Sequence, residues 1–238
     1  MLGRFHELGL PTQDIRASIE FYEALGFSQV ETGDTWPHPY GVVTDGRLVL
    51  GLHQSERPAC ITYVRADVQA LAAELEARGI ELLLRRTGPE VFNEIAFADP
   101  TGERIAVLEA PTHAAVPRRG EETSRCGYFE ELSLPAGDFD AAQRFWEPLG
   151  FVAIDTDGAP YAHRVLTSDH LDLALHAPRI SSEPLLVFAE EGMAERIAAL
   201  AAAGFAPGAP PAGLDARANA RLRAPEGTQL LLRTWSSD

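Results

Sequence analysis

The chain has 238 residues, of which 45% are hydrophobic, and its formal net charge is −15. This length can hold one large or two small domains, and the acidic balance argues against binding to nucleic acid or to an anionic membrane surface. The sequence contains no lysine, which excludes a Schiff-base lysine and a phosphate-binding P-loop lysine. It also has no apolar run near the roughly 20 residues that span a bilayer and no secretory signature, so we expect a cytoplasmic protein.

The predicted elements begin with a short alternating strand at residues 5–10 and a helix whose apolar residues recur at helical spacing. Asp14 is placed to cap the start of this helix, and Gly26 is placed to end it. Three strand candidates separated by turn residues follow, at 28–33, 40–45 and 47–54. The same order of strand, helix and three strands then repeats over residues 59–110, where Asp67 caps the second helix.

The chain contains an internal repeat. Residues 5–27 and 129–151 are identical at twelve of 23 positions, including Glu7 and Glu131. Later segments repeat as well, because residues 46–54 are echoed at 169–177, and residues 98–110 are echoed at 223–235. Self-similarity over half the chain indicates that one structural unit has been duplicated.

The repeat predicts two tandem domains. Residues 110–127 are rich in proline, glycine, threonine and charge, which is typical of a linker. We therefore expect an N-terminal domain at 1–112, a linker at 113–123 and a C-terminal domain at 124–238. Each domain would contain two βαβββ units, although a loop at 208–218 obscures one strand of the last unit.

Several motifs identify a resemblance. The paired βαβββ units, the opening L-x-L-P-x-x-D before a helix that ends in F-Y-x-x-L-G-F, and the closing D-P-x-G turn resemble the vicinal oxygen chelate superfamily. This superfamily comprises the glyoxalases, the bleomycin-resistance proteins and the extradiol dioxygenases. The resemblance implies an α+β fold of cupped mixed β-sheets, in which each pair of units encloses a cup that can hold a divalent metal.

The resemblance also implies where metal ligands would lie. The first-strand ligand falls seven residues before the capping aspartate, at Glu7 and Glu131. At the fifth-strand position stands Cys60, a possible soft ligand, and its counterpart lies near Glu183. The remaining positions carry no donor, namely Gly51, Ala106, Ala174 and Leu231. We therefore expect a degenerate or non-classical metal site, at which a divalent metal is possible but not favoured.

Two histidines are duplicated beside these positions. His53 and His176 lie two residues beyond the fourth-strand position, so strand alternation directs both toward the cup. We hypothesise that Glu7 approaches His53 and that Glu131 approaches His176, each within its own cup. A carboxylate can orient an imidazole as a general acid or base, and the same pair could contribute half of a metal site. Alternatively, such strand-end histidines only bond loop carbonyls as remnants of the duplication.

Aromatic and histidine residues are candidates for the cup rim. Trp36, His38 and Tyr40 occupy a loop beside the third strand, and Tyr161 and His163 occupy its counterpart. Such side chains suit a planar organic ligand, or they pack against the neighbouring unit. Asn93 and Glu94 alternate on the seventh strand, so one of the two should face inward, whereas alternation turns His6 away from Glu7.

Three functions remain open at this point. The first is a small-molecule-binding protein similar to the bleomycin-resistance branch, present as a monomer or homodimer. The second is a metal-dependent lyase, isomerase or dioxygenase that uses Glu7 and His53, or Glu131 and His176. The third is a non-catalytic structural or regulatory module.

Overall fold

The computed structural model describes residues 1–32, 36–110, 124–154 and 161–235. The elements of the N-terminal domain are β1 (Arg4–Pro11), α1 (Ile15–Ala24), β2 (Ser28–Val30), β3 (Tyr40–Thr44), β4 (Val49–His53), β5 (Cys60–Arg65), α2 (Val68–Ala77), β6 (Leu82–Arg86), β7 (Glu94–Ala98) and β8 (Arg104–Glu109). Those of the C-terminal domain are β9 (Tyr128–Pro135), α3 (Phe139–Trp146), a 3₁₀ turn (Glu147–Leu149), β10 (Val152–Ile154), β11 (His163–Thr167), β12 (Leu173–His176), β13 (Leu185–Glu190), α4 (Met193–Ala202), β14 (Ala220–Arg223) and β15 (Gln229–Thr234).

The N-terminal domain is one mixed sheet of eight strands in the order β2-β3-β4-β1-β5-β8-β7-β6. The two βαβββ units meet at its centre, where β1 runs antiparallel to β5. Within each unit the first and last strands are parallel, β1 with β4 and β5 with β8. The prediction of an α+β fold with tandem domains and mixed sheets is therefore confirmed.

Local signals explain where the helices begin and end. Asp14, Asp67 and Asp138 each accept a hydrogen bond from the backbone N–H three residues later, at 2.9–3.0 Å. These caps satisfy donors that the first helical turn leaves unpaired. Gly26 follows α1 with a φ of +93°, a left-handed conformation that favours glycine.

The C-terminal domain departs from the predicted repeat. Its sheet has seven described strands in the order β10-β11-β12-β9-β13-β15-β14, so the last unit reads βαββ. Where the missing strand was expected, the structure has only an isolated bridge between Gly208 and Arg221. Pro207, Pro210 and Pro211 surround this bridge, and proline has no N–H to donate to a β-ladder. The predicted linker at 113–123 lies outside the described residues, so the domain limits stay a prediction.

The two domains contact each other through α1 and α3, at Tyr22 and Trp146, which occupy equivalent positions of the repeat, and we call these contacts the clasp. The hydroxyl of Tyr22 in α1 donates to Glu226 of the C-terminal domain at 2.7 Å, and the hydroxyl of Ser18 donates to the same carboxylate at 2.9 Å. Reciprocally, the indole N–H of Trp146 in α3 donates to Asp99 of the N-terminal domain at 3.2 Å. Tyr22 and Trp146 are fully buried, so each domain completes part of the other's core.

No helix in the described part of the chain is long and apolar enough to cross a bilayer.

Tyr22→Phe is expected to lower the free energy of unfolding by about 1–3 kcal/mol, because the hydrogen bond to a carboxylate is lost while the ring stays. Tyr63→Phe is the matched control, since the Tyr63 hydroxyl is buried without a hydrogen-bond partner. Removing that hydroxyl should leave stability unchanged or raise it by about 1 kcal/mol. Chemical denaturation of both variants measures the difference, and equal losses would contradict the clasp.

Candidate functional site

The concave face of the N-terminal sheet forms a cup with a cavity of about 330 Å³. Its inner wall comes from the central strands of the sheet, through Glu7 of β1, His53 of β4, and Cys60 and Thr62 of β5. Trp36 lies at the same cavity from the loop before β3. The cup thus gathers residues that are distant in sequence, because the parallel and antiparallel neighbours of β1 bring them to one face.

Glu7 is the most enclosed charged group of the cup. It is 1% exposed, its Oε1 lies 3.0 Å from Nε2 of His53, and its Oε2 accepts a hydrogen bond from the Tyr40 hydroxyl. A Cβ atom on Gly51 would lie 2.4–2.5 Å from the carboxyl atoms of Glu7. The glycine at the empty fourth-strand position therefore provides the space through which the carboxylate reaches His53 and Tyr40.

His53 connects the carboxylate to the aromatic rim. Its Nδ1 lies 3.0 Å from Nε2 of His38, and its ring centroid lies 5.2 Å from that of Trp36 and 4.7 Å from that of Tyr40. Burial lowers the pKa of His38, and His53 and Arg57 lower it further, so His38 is neutral near pH 7. Burial, followed by the charge of Glu7, raises the pKa of Tyr40, which therefore keeps its proton as a donor. The structure brings together all the rim residues proposed for this domain.

The prediction that strand alternation turns His6 away from Glu7 is wrong. A β-bulge shifts the register of β1 against β5 between Phe5 and Glu7, and a bulge interrupts the alternation of side chains. Nε2 of His6 consequently lies 3.9 Å from Oε2 of Glu7. The histidine adds a further ring beside the carboxylate.

The donors at the cup do not fit the divalent metal that the resemblance implies. Gly51 and Ala106 offer no ligand, and both oxygens of Glu7 are engaged by His53 and Tyr40. Burial raises the pKa of the Cys60 thiol to about 12, which disfavours the thiolate in the cup without a metal. No three His, Cys, Asp or Glu side chains within 1–32, 36–110, 124–154 and 161–235 are grouped to hold a metal ion.

Charged residues of the cavity were missed or left open by sequence reasoning. Glu94 is the inward-facing member of its pair; it is 6% exposed and forms an ion pair with Arg86 at 2.9 Å. Arg57 and Arg104 also line the cavity. Arg57 follows β4 and Arg104 begins β8, and no motif of the sequence links the two positions. The only available signal was that each lies near the end of a strand that forms the cup.

The expected contact between Glu131 and His176 is not formed. Nδ1 of His176 lies 2.8 Å from the Ser133 hydroxyl, and its Nε2 lies 3.1 Å from the carbonyl oxygen of Ser181. Ser133 occupies the repeat position of Gly9, where the N-terminal domain has no side chain. The Ser133 hydroxyl thus takes the place of Glu131 as a partner of His176. The bond from His176 to a loop carbonyl agrees with the alternative interpretation of the sequence.

The C-terminal cup is filled by its own side chains. Leu185, Val187 and Leu231 stand at the repeat positions of Cys60, Thr62 and Ala106. They form an apolar cluster with Tyr161 and Ile180, against which Leu214 packs. Of the predicted rim pair, Tyr161 is therefore part of a core, and Nδ1 of His163 lies 2.9 Å from the Tyr161 carbonyl oxygen. The suggested ligand position near Glu183 also lies elsewhere, since Glu183 borders a cavity between the two domains.

Glu131 is buried within this filled cup. It is 3% exposed, and burial, with a smaller contribution from the charge of Glu130, raises its pKa to about 8. The guanidinium of Arg233 forms its ion pair with Glu130 and donates two hydrogen bonds to it, at 2.6 and 2.8 Å. Glu131 is accordingly a protonated, neutral side chain at pH 7.

Comparisons with known proteins agree with this architecture. Residues 4–107 match the model of the glyoxalase/bleomycin resistance protein/dioxygenase superfamily, whereas no curated protein matches the sequence. The chain is similar to a catechol 2,3-dioxygenase structure, with a TM-score of 0.61 and 15% identity over 98% of this chain and 88% of the other. It is also similar to the Mn(II)-bound glyoxalase from Novosphingobium aromaticivorans (TM-score 0.60, 17% identity, 97% and 81% coverage). A third similar structure is homoprotocatechuate 2,3-dioxygenase from Arthrobacter globiformis (TM-score 0.60, 18% identity, 98% and 80% coverage). At these identities the likeness to solved structures establishes the fold alone.

Proposed function

We propose that the chain is a tandem two-domain member of the vicinal oxygen chelate superfamily, whose model matches residues 4–107. We further propose that its N-terminal cup binds a small organic molecule without a classical metal centre. The observation that carries this proposal is the cavity of about 330 Å³ that opens onto Glu7 and His53. Its size lies within the range of small-molecule sites, roughly 300–1,000 Å³. Its composition also fits such a site, since leucine and tryptophan side chains form a wall around a few convergent polar groups.

The C-terminal domain has a different role in this proposal. Its cup is occupied by Leu185, Val187 and Leu231, and its histidine is bonded to Ser133 and to a loop carbonyl. We assign to the C-terminal domain a non-catalytic structural function, which the sequence analysis raised as a possibility for the whole chain. It supports the N-terminal domain through the contacts of Glu226 and Trp146.

Proton-transfer catalysis of the isomerase or lyase type is a second candidate, and the hydrogen bond of 3.0 Å between Glu7 and His53 favours it. Glu7 lines the cavity and would take a proton from the bound molecule. His53 would share that proton across the hydrogen bond, and the Tyr40 hydroxyl would hold the carboxylate in place. The donor set gives no support to the metal-dependent form of this reaction or to a dioxygenase.

Ala106→Leu tests the binding proposal, because it introduces the side chain that Leu231 provides in the filled cup. A library of small organic acids, amines and neutral compounds would be screened by thermal shift in EDTA, and the affinities of the hits measured by calorimetry. We expect hits with the wild type and at least a tenfold loss of affinity with Ala106→Leu. Quenching of Trp36 fluorescence, compared with Trp36→Phe, would place the hits in the cup.

The control is Leu231→Ala, which changes the equivalent position of the C-terminal domain and should leave the affinity of these hits unchanged. A library without a single hit, or hits that bind Ala106→Leu as tightly as the wild type, would contradict the proposal. Hits that appear only when the screen is repeated with a divalent metal in place of EDTA would contradict its metal-free part. Proton exchange from a hit, lost in Glu7→Gln while the compound still binds, would support the catalytic candidate.

A further inference from the structure

We infer that the molecule bound in the N-terminal cup is an organic anion with a planar apolar body, an inference that rests on the proposed function. The observations that carry it are two arginines at the cavity, the balance of charge around them and the shape of the apolar wall. Together they define the class of ligand more narrowly than the fold does.

The first observation concerns Arg57 and Arg104. Both line the cavity, and neither guanidinium forms an ion pair with any carboxylate among the described residues. The guanidinium of Arg57 lies over the Trp36 ring, 5.2 Å from its centroid. Such a cation–π contact holds the guanidinium near the ring while its N–H groups remain available. A planar fork of this kind is suited to bidentate contact with a carboxylate or a phosphate.

The second observation is the balance of charge inside the cup. Glu94 is compensated by Arg86 at 2.9 Å. Among the described residues that line the cavity, Glu7 is the one other acidic side chain, and it is bonded to Tyr40 and His53. The arginines without an acidic partner therefore outnumber the uncompensated carboxylate. This local excess of positive charge occurs in a chain whose net charge is −15, and it favours an anion at this cavity over a cation.

The third observation is an uncovered apolar wall opposite the polar groups. Leu83 and Leu84 of the edge strand β6 line the cavity, yet they are 48% and 38% exposed. Ala96 of the neighbouring strand β7 continues the wall. A flat apolar body placed against it would remove this surface from water, and the ring of Trp36 offers an aromatic contact. The anionic group would then extend toward Arg57 and Arg104.

The test uses four compounds that share one ring system. 2-Naphthoate and 2-naphthyl phosphate are anions, 2-naphthamide is neutral and 2-naphthylmethylamine is a cation at pH 7. We expect at least one anion to bind about tenfold more tightly than the amide, and the amine to bind most weakly. The preferred anion distinguishes a carboxylate site from a phosphate site. Arg57→Gln and Arg104→Gln should each reduce the preference for the anion and leave the affinity for the amide unchanged.

Arg16→Gln is the matched control, since Arg16 lies on the exposed surface of α1 in an ion pair with Glu20. It should leave every affinity unchanged. If the amide binds as tightly as both anions, or the amine binds best, the inference is overturned while the proposed binding function stands. If none of the four compounds binds, the hits of the library screen test the inference instead. A preference for anionic hits supports it, and a preference for neutral or cationic hits overturns it. A library without any hit overturns the proposed function itself.

Discussion

Replacing Gly51 with alanine is expected to separate the Glu7 carboxylate from His53 and Tyr40 and to lower the free energy of unfolding by about 1–3 kcal/mol. The added Cβ would meet three carboxyl atoms of Glu7 at 2.4–2.5 Å. The end of a glutamate side chain can normally move away from such a contact. Here the side chain is 1% exposed and bonded on both oxygens, so moving it breaks hydrogen bonds in a buried site.

Chemical denaturation gives the stability change, and the imidazole resonances of His53 in NMR spectra report the loss of the contact with Glu7. Gly137→Ala is the matched control, because nothing lies within 4 Å of its added Cβ. That variant should change stability by no more than about 1 kcal/mol. The double variant Gly51→Ala with Glu7→Ala should be more stable than the sum of the single effects indicates, since the clash requires both side chains. Strict additivity would show that Gly51 provides no space for Glu7.

The second large effect is a pH dependence that Glu131 imposes on the C-terminal domain. Its pKa is about 8 in the folded protein, raised by burial from the ordinary value of 4.5. Between these two values the folded state keeps a proton that the unfolded state releases, so stability falls as the pH rises. The stabilising contribution of the bound proton is complete below about pH 4.5 and is lost as the pH passes through 8.

Glu131→Gln removes this titration and keeps the shape of the side chain. We expect the variant to match the wild type near pH 4.5 and to be more stable at pH 8.5, by an amount on the order of 3 kcal/mol. Burial also raises the pKa of Glu103 to about 7, but that titration is common to both proteins and cancels in the comparison. Glu74→Gln, a change on the exposed face of α2, is the control and should have no such effect. Parallel stability curves for Glu131→Gln and the wild type would contradict the assignment.

Sequence reasoning reached the features that depend on short-range patterns. The caps at Asp14 and Asp67 and the turn at Gly26 follow from local backbone chemistry. The contact between Glu7 and His53 could be derived because strand alternation and the order of strands together fix which side chains share a face. These rules needed no knowledge of the neighbouring side chains.

The features that were missed depend on single contacts between distant residues. One hydroxyl on Ser133 decides the partner of His176, and strand alternation carries no information about that choice. The bulge at His6 and the strand lost near Gly208 interrupt the regular ladder on which alternation relies. Arg57 and Arg104 come from different segments of the chain, so only the folded cup shows that they share a cavity.

The clasp between the domains has a consequence for synthesis on the ribosome. The buried hydroxyl of Tyr22 gains its hydrogen-bond acceptor only when Glu226, 204 residues later in the chain, has been synthesised. At roughly 5–20 residues per second, translation takes on the order of ten to forty seconds to cover that separation. Throughout this interval the Tyr22 hydroxyl of the nascent N-terminal half lacks Glu226, although α1 already has the strands β2, β3 and β4 of its own domain to pack on. The contacts that join the two halves are therefore completed only when the ribosome has almost reached the end of the message, whereas every residue that lines the proposed binding cup has been translated by residue 108.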